Sequence, residues 1–222
     1  MKAKLAGTPS SATLNDLGVW FAEHNQYACA GDAFATSLQT DPKQVDFRHV
    51  IFMFGASLYY SGDMKEAAPA LAEAERVGYR DAKLYTLLAS ALDAQKDTEK
   101  AEAEWKEALD FDPESTTILD ALSDDMIARR EYDEAVKLLE QRRLGALRSP
   151  QQIRNLSTAL VQLGKAEEAA PILEDGLNTY PDSQEIAQQL SSVLTMLHRD
   201  EEAAMVRKLA EVQREAAPEA GK

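Results

Sequence analysis

Apolar residues recur along the chain at helical spacing, in blocks of constant length. In the block at 48–81, apolar residues stand at positions 4, 7 and 11 and again at positions 20, 24 and 27. Spacings of three and four residues place side chains on one face of an α-helix. Each block therefore predicts two amphipathic helices that are joined by a short turn and pack against each other as an antiparallel pair.

The repeat is directly visible in two phrases of the sequence. Residues 62–69 read GDMKEAAP, and residues 164–171, three blocks further on, read GKAEEAAP. Blocks fit without gaps at 48–81, 82–115, 116–149, 150–183 and 184–217, and a sixth fits at 11–44 with residues 45–47 as an insertion. Position 20 then holds alanine in every block: Ala30, Ala67, Ala101, Ala135, Ala169 and Ala203. Such self-similarity predicts a stack of helical pairs and not one compact globule.

Individual positions of the block predict the ends and the contact of the two helices. Small residues at positions 8 and 20 allow the two helix axes to approach closely. Asp63 followed three residues later by Glu66 predicts a capping box at the start of a second helix. Proline at position 32 predicts the end of the second helix in three blocks: Pro42, Pro113 and Pro181.

This pattern resembles the tetratricopeptide repeat, which has large, small and proline residues at the same spacing. The first block carries Leu14, Leu17, Gly18, Phe21, Tyr27, Ala30, Phe34 and Pro42 at those positions. The third block carries Tyr85, Leu88, Ala89, Leu92, Ala101, Trp105, Ala108 and Pro113. The resemblance implies an all-α fold, a right-handed α–α superhelix of six helix-turn-helix repeats over residues 11–217, with a flexible segment at 1–10 and a tail at 218–222.

Two blocks depart from the pattern of the family. The fourth has Arg142 at position 27 and Leu147 at position 32, which predicts a local irregularity in the stack. The sixth has Arg207 at position 24. A charged last helix suits a terminal unit, because no further repeat covers it.

Composition and charge narrow the classes of function. The 222 residues include 38 Asp and Glu against 24 Lys and Arg, a net charge of −14, which disfavours binding to nucleic acid or to anionic lipid. The single Cys29 excludes an intramolecular disulfide framework. No apolar run is long enough to cross a bilayer and no signal-peptide pattern is present, so we expect a soluble, cytoplasmic protein. A domain excised from a longer exported protein would look the same.

Candidate chemistry in the sequence is sparse. None of the phosphate-binding, zinc-protease or nucleophile-elbow motifs occurs, and the three histidines fall in different blocks at unrelated helical phases. We therefore expect no enzyme, no metal and no cofactor. Cys29 is expected to fill space beside Ala30, and core packing is expected for the large aromatic residues Trp20, Phe34, Trp105 and Tyr132.

The resemblance implies a binding surface on the first helices of the repeats, at positions 2, 5, 9, 12 and 13. The residues that it selects as a groove are His49, Phe52, Ala56, Tyr59 and Tyr60 in the second repeat, Thr86, Ser90 and Asp93 in the third, Asp120 and Asp124 in the fourth, and Arg154 and Thr158 in the fifth. We expect the aromatic group to be a surface that the helical pair does not need for its own core.

Function follows as an expectation from this surface. Aromatic side chains supply contact area and carboxylates favour a basic neighbour, so the expected partner is a protein or peptide with apolar anchors and basic residues. Capture of a C-terminal carboxylate is not expected, since only Lys83 suits that role. The leading hypothesis is a non-catalytic interaction scaffold that binds a peptide or helix in its concave groove. The alternative is a structural or oligomerisation arm of a larger assembly or of a longer protein, and the oligomeric state stays open.

Overall fold

The structure, a computed structural model, describes residues 9–141 and 149–216, with the backbone alone for residue 141 and residues 213–216. This part of the chain is all-α and contains twelve helices. Their bounds are α1 Ser11–Glu23, α2 Tyr27–Thr40, α3 Phe47–Tyr60, α4 Met64–Arg76, α5 Ala82–Ala94, α6 Thr98–Phe111, α7 Thr116–Ala128, α8 Tyr132–Gln141, α9 Pro150–Gln162, α10 Ala166–Thr179, α11 Gln184–Met196 and α12 Asp200–Ala216. Two helices fall in each block of the sequence, as the apolar pattern predicts.

The helices pair in sequence within two compact units, Met1–Pro113 and Glu114–Lys222. In unit one, α1 packs on α2, α3 on α4 and α5 on α6, and each pair contacts the first helix of the next pair. Unit two pairs α7 with α8, α9 with α10 and α11 with α12 in the same way. The first helices also contact each other directly, α3 with α5 and α9 with both α7 and α11. A single solenoid over residues 11–217 stays a prediction.

Local sequence accounts for the helix ends. The Asp63 carboxylate accepts a hydrogen bond from the backbone N–H of Glu66 at 3.3 Å, which is the Asp63 half of the predicted capping box, whereas the Asp63 N–H donates to the Leu58 carbonyl at 3.0 Å. The predicted proline stops are also confirmed, because α2, α6 and α10 each end two residues before Pro42, Pro113 or Pro181.

The turn inside each pair uses a left-handed residue at position 15 of every block. These residues are Asn25, Gly62, Lys96, Arg130, Gly164 and His198, with φ between 57° and 91°. Only glycine adopts this conformation without steric cost, and four of the six turns use another residue. The sequence pattern does not indicate this position, since its residue type varies from block to block.

The core lies where the two helices of a pair cross. All six alanines at position 20 are 0% exposed, in agreement with the predicted close approach. Gly18 and Gly55 at position 8 leave room for a large residue of the second helix. A Cβ atom on Gly18 would lie 2.7 Å from the Phe34 ring, and one on Gly55 would lie 2.9 Å from the Leu71 side chain.

Two expectations about the core are wrong. Trp20 is 48% exposed and stacks on His24 with ring centroids 4.1 Å apart. Trp20 stands at position 10 of its block, which holds Ala91 in the third block. Ala91 is buried because α3 and α4 pack against α5, whereas no described helix precedes α1. Cys29 is exposed and does not fill the core beside Ala30.

The predicted irregularity at Arg142 and Leu147 lies outside the described residues, as do the predicted tail at 218–222 and residues 1–8 of the predicted flexible segment. Within the described helices, none combines the length and the apolar character needed to cross a membrane.

Candidate functional site

A cleft runs along α3 in unit one, where the turn between α1 and α2 and the start of α5 approach it. We call it the α3 cleft, and its volume is about 410 Å³. Three residues of the predicted groove, Phe52, Ala56 and Tyr60, contribute to it. The cleft is lined by Ala22, Glu23, Tyr27, Phe52, Met53, Ala56, Ser57, Tyr60 and Lys83.

Aromatic rings form the exposed part of the α3 cleft. The Tyr60 ring is 44% exposed and lies 5.2 Å from the ring of Tyr27, centroid to centroid. Tyr59 meets Tyr60 edge to face at 5.3 Å. The Lys83 ammonium lies 5.6 Å from the Tyr60 ring centroid, a cation–π contact that ties α5 to α3. Tyrosines held in this way present contact area that is already ordered.

Phe52 and Ala56 do not form the free aromatic surface that the sequence suggested. Phe52 is only 4% exposed and stacks on Tyr79 with centroids 4.6 Å apart and planes 10° apart. Both Phe52 and Ala56 belong to the core cluster that includes Leu84 and Leu87 of α5. Their position in the repeat faces the next helical pair, so these side chains are covered and form only the floor of the cleft.

His49 lies at the edge of the same aromatic cluster. Its ring is exposed and sits 5.7 Å from the ring of Tyr79 and 6.1 Å from that of Phe52. The Tyr79 hydroxyl donates a hydrogen bond to the Asp81 carboxylate at 2.8 Å. Burial is the main cause that raises the pKa of Tyr79 above its usual range, and the bond to Asp81 adds to it.

The predicted groove residues of the third repeat are engaged within unit one. Thr86 and Ser90 are half-buried and donate to backbone carbonyls of their own helix, at 2.7 Å and 2.8 Å. Asp93 accepts a hydrogen bond from the indole N–H of Trp105 at 2.8 Å. This carboxylate therefore braces α5 against α6, and the core placement expected for Trp105 is confirmed by its burial.

In unit two, the predicted acidic residues connect neighbouring first helices. Asp120 accepts hydrogen bonds from Ser149 at 2.5 Å and from Gln152 at 2.8 Å. Asp124 accepts from the side-chain amides of Gln151 at 2.6 Å and of Asn155 at 2.7 Å. The carboxylates of α7 are thus partners of amides on α9.

The same arrangement continues from α9 to α11. The Gln189 amide donates to the Thr158 hydroxyl at 2.8 Å and to the Arg154 carbonyl at 3.1 Å. The Arg154 guanidinium contacts the Gln151 amide oxygen at 3.4 Å. These polar side chains occupy the predicted positions, and the structure shows them in contacts between helices. Recognition of a basic partner by the carboxylates stays a prediction.

Among the other cleft residues, Lys83 stands at position 2 of its block and Glu23 at position 13, which are positions that the resemblance selects. Tyr27 begins α2 and lies outside the helix positions from which the groove was inferred. Its proximity to α3 depends on the turn between α1 and α2. Across the described residues, no group of three His, Cys, Asp or Glu side chains is placed to hold a metal ion.

Within each unit the helices form stacked helical hairpins, and the comparisons with known proteins agree. The family model of the tetratricopeptide repeat matches residues 82–115, which is the third block. No curated protein matches the sequence.

Solved structures share the fold at low sequence identity. A tetratricopeptide repeat protein from Parabacteroides merdae has a TM-score of 0.72 and 14% identity, covering 91% of this chain and 79% of that one. YrrB, a tetratricopeptide repeat protein with an unusual peptide-binding site, has a TM-score of 0.67 and 15% identity, covering 80% and 89%. MamA AMB-1 has a TM-score of 0.58 and 21% identity, covering 76% and 99%.

The third block is thus a tetratricopeptide repeat by its family match, and the chain shares the fold of these solved structures. Proteins of this class generally mediate protein–protein interactions, and their fold is usually non-catalytic.

Proposed function

We propose that this protein is a non-catalytic interaction module that binds a peptide or helix of a partner protein, with the α3 cleft as the anchor site. The observation that carries the proposal is the open apolar cleft beside the ordered pair Tyr27 and Tyr60. Rigid aromatic rings around a small pocket are typical of the residues that dominate binding energy. The neighbour YrrB supports the proposal, because it has a peptide-binding site on the same fold.

The partner segment places an apolar or aromatic side chain in the α3 cleft. Glu23 at the edge of the cleft is available to a basic residue of the partner. Because Asp93, Asp120 and Asp124 already accept intramolecular hydrogen bonds, their contribution to a basic partner is smaller than that of an unpaired carboxylate.

The test uses variants that remove the exposed part of the cleft and leave its floor intact. Immobilised wild-type protein, Tyr60→Ala and Tyr27→Ala are used to capture proteins from the source organism, which are identified by mass spectrometry. Phe111→Ala is the matched control, since Phe111 is also a half-exposed aromatic residue but lies outside the cleft. The proposal is supported if some partners bind to the wild type and to the control but to neither cleft variant. Equal capture by all four proteins contradicts it.

A second candidate function is a structural arm that associates through α12. Met205, Leu209 and Val212 recur at helical spacing and are 64%, 48% and 55% exposed. The charged residue expected at this helix, Arg207, is exposed as well, so α12 combines a polar side with an apolar stripe. Light scattering over a concentration series tests association, with Leu209→Lys as the variant that should restore a monomer. A wild-type monomer at every concentration excludes this candidate.

A further inference from the structure

Unit one has a second open surface that shares no residue with the α3 cleft. We call it the α2–α4 groove, because it lies between the C-terminal halves of α2 and α4 over the start of α3. Its volume is about 850 Å³, which is in the range of clefts that bind ligands. Its apolar lining includes Leu38, Phe47, Ile51, Phe54, Ala70 and Val77.

The next helical pair shows why this groove is open. Tyr85 of α5 stands at the same position of its block as Ile51, and Phe111 of α6 at the same position as Val77. Tyr85 is fully buried, and its ring stacks on that of Phe111 at 5.5 Å. The Tyr85 ring therefore fills the space between α4, α5 and α6. One repeat earlier, the smaller Ile51 leaves the corresponding space empty.

The insertion at residues 45–47 adds to the groove. It separates the first two repeats and supplies Phe47, whose ring lies in the lining. The Arg48 guanidinium sits over this ring, 5.9 Å from its centroid. The apolar surface is thus built from a local departure from the repeat.

Charge at the groove is opposite in sign to that of the chain. Lys43 lies in the lining and Arg48 lies against Phe47, and neither forms an ion pair within the part of the chain that the structure describes. Glu73 is neutralised by Arg76, which donates two hydrogen bonds to it at 2.6 Å and 2.5 Å. One repeat later, the position of Ala70 is occupied by Glu104. The groove beside Ala70 therefore favours an acidic ligand. At the corresponding place one repeat later, Glu104 would repel such a ligand.

We propose that the α2–α4 groove binds an acidic amphipathic helix of a partner protein. Leucine-type side chains three and four residues apart enter the apolar lining, and flanking carboxylates face Lys43 and Arg48. A helix fits because the groove is larger than any single side chain and is bounded by two helices, as in other helix-in-groove complexes. This inference goes beyond the proposed function and does not depend on the α3 cleft.

The probe is a synthetic helical peptide with leucines at positions i, i+4 and i+7 and glutamates beside them. A matched peptide has lysine in place of each glutamate. Fluorescence polarisation with the full chain should show the acidic peptide binding about tenfold more tightly or better, a difference of about 1.4 kcal/mol or more. Equal binding of the two peptides, or no binding of either, overturns the proposal.

Two variants locate the binding site. Ile51→Tyr introduces the ring that Tyr85 provides in the next repeat and should abolish binding of the acidic peptide, with circular dichroism and melting as checks of folding. Lys43→Glu combined with Arg48→Glu lies at the surface and should make the lysine peptide the tighter ligand, so the test stands even if Ile51→Tyr fails to fold. Binding that neither variant changes overturns the proposal.

Tyr60→Ala, in the α3 cleft, serves as the matched control and should leave peptide binding unchanged. If Tyr60→Ala alone abolishes binding, the peptide occupies the α3 cleft, which overturns this inference and leaves the proposed function intact. Sedimentation of the wild type provides the last test. A dimer that Ile51→Tyr converts to a monomer identifies a second copy of this chain as the occupant and overturns a foreign partner.

Discussion

The indole N–H of Trp105 donates a hydrogen bond to the carboxylate of Asp93 at 2.8 Å and connects the two helices of the third repeat. Trp105 is 3% exposed, and its N–H is directed at the partly buried Asp93 carboxylate. Asp93, which the sequence suggested as a contact with a partner, therefore stabilises the helical hairpin itself. A buried donor without an acceptor is more costly than the loss of an average hydrogen bond.

We predict that Asp93→Ala lowers the free energy of unfolding by about 1–3 kcal/mol, because it leaves the Trp105 N–H unsatisfied. Asp93→Asn should cost less, since the amide oxygen can still accept the bond. Urea unfolding of both variants measures the difference. In a Trp105→Phe background the donor is absent, and Asp93→Ala should then have little effect. An equal cost in both backgrounds rules out the hydrogen bond as the cause.

Phe52→Ala should destabilise the protein by about 3–5 kcal/mol, because it leaves a cavity in the core and removes the stacking on Tyr79. Tyr60→Ala, at a half-exposed residue eight positions later on the same helix, should cost less than about 1 kcal/mol. Chemical denaturation of the two variants compares them directly. If Phe52→Ala unfolds at the same denaturant concentration as Tyr60→Ala, Phe52 is not a core residue.

Gly55→Ala should lower stability by about 1–3 kcal/mol through overpacking, even though alanine is the better helix former. The new Cβ would lie 2.9 Å from the Leu71 side chain and 3.0 Å from its backbone nitrogen, which cannot move without displacing α4. Gly31→Ala is the matched control, as its Cβ would meet its nearest neighbour at an ordinary 3.8 Å. The control should gain up to about 1 kcal/mol from helix propensity. Melting curves that shift in the same direction for both variants would refute the steric argument.

Glu104 should make the protein less stable as the pH rises towards neutrality. Burial raises the pKa of Glu104 to about 7 from an ordinary value of 4.5, and repulsion by Glu75 and Glu107 adds to this effect. Between these two values the folded chain binds more protons than the unfolded chain, so the free energy of unfolding falls with increasing pH.

The variant that tests this is Glu104→Gln, which keeps the shape of the side chain and removes its charge. Its melting temperature should exceed that of the wild type at pH 8, and the difference should vanish at pH 4. Glu99→Gln, on the exposed face of the same helix, is the control and should show no such pH dependence. A gain for Glu104→Gln of equal size at both pH values would exclude ionisation as the cause.

The candidate site was only partly accessible from the sequence. The position of Tyr60 in the repeat predicted that its ring lies on the open face of α3, because the spacing of helix positions fixes the face on which a side chain lies. In the structure this ring is exposed in the cleft. The same rule selected Phe52, although Tyr79 and α5 cover that side chain. Tyr27 was missed, since its place beside Tyr60 depends on the turn between α1 and α2.

The sequence by itself determined the helical pairs, their ends and the close contact at position 20, because these depend on spacing within one block. The tertiary structure decided which side chains stay accessible, since residues of neighbouring pairs cover α3 and α9 but leave much of α1 exposed. Ile51 leaves a groove open in the second repeat, whereas Tyr85 fills the corresponding space in the third. Asp124 of α7 accepts hydrogen bonds from side-chain amides of α9. Such contacts join residues that are distant in sequence, and the pattern within a block does not specify them.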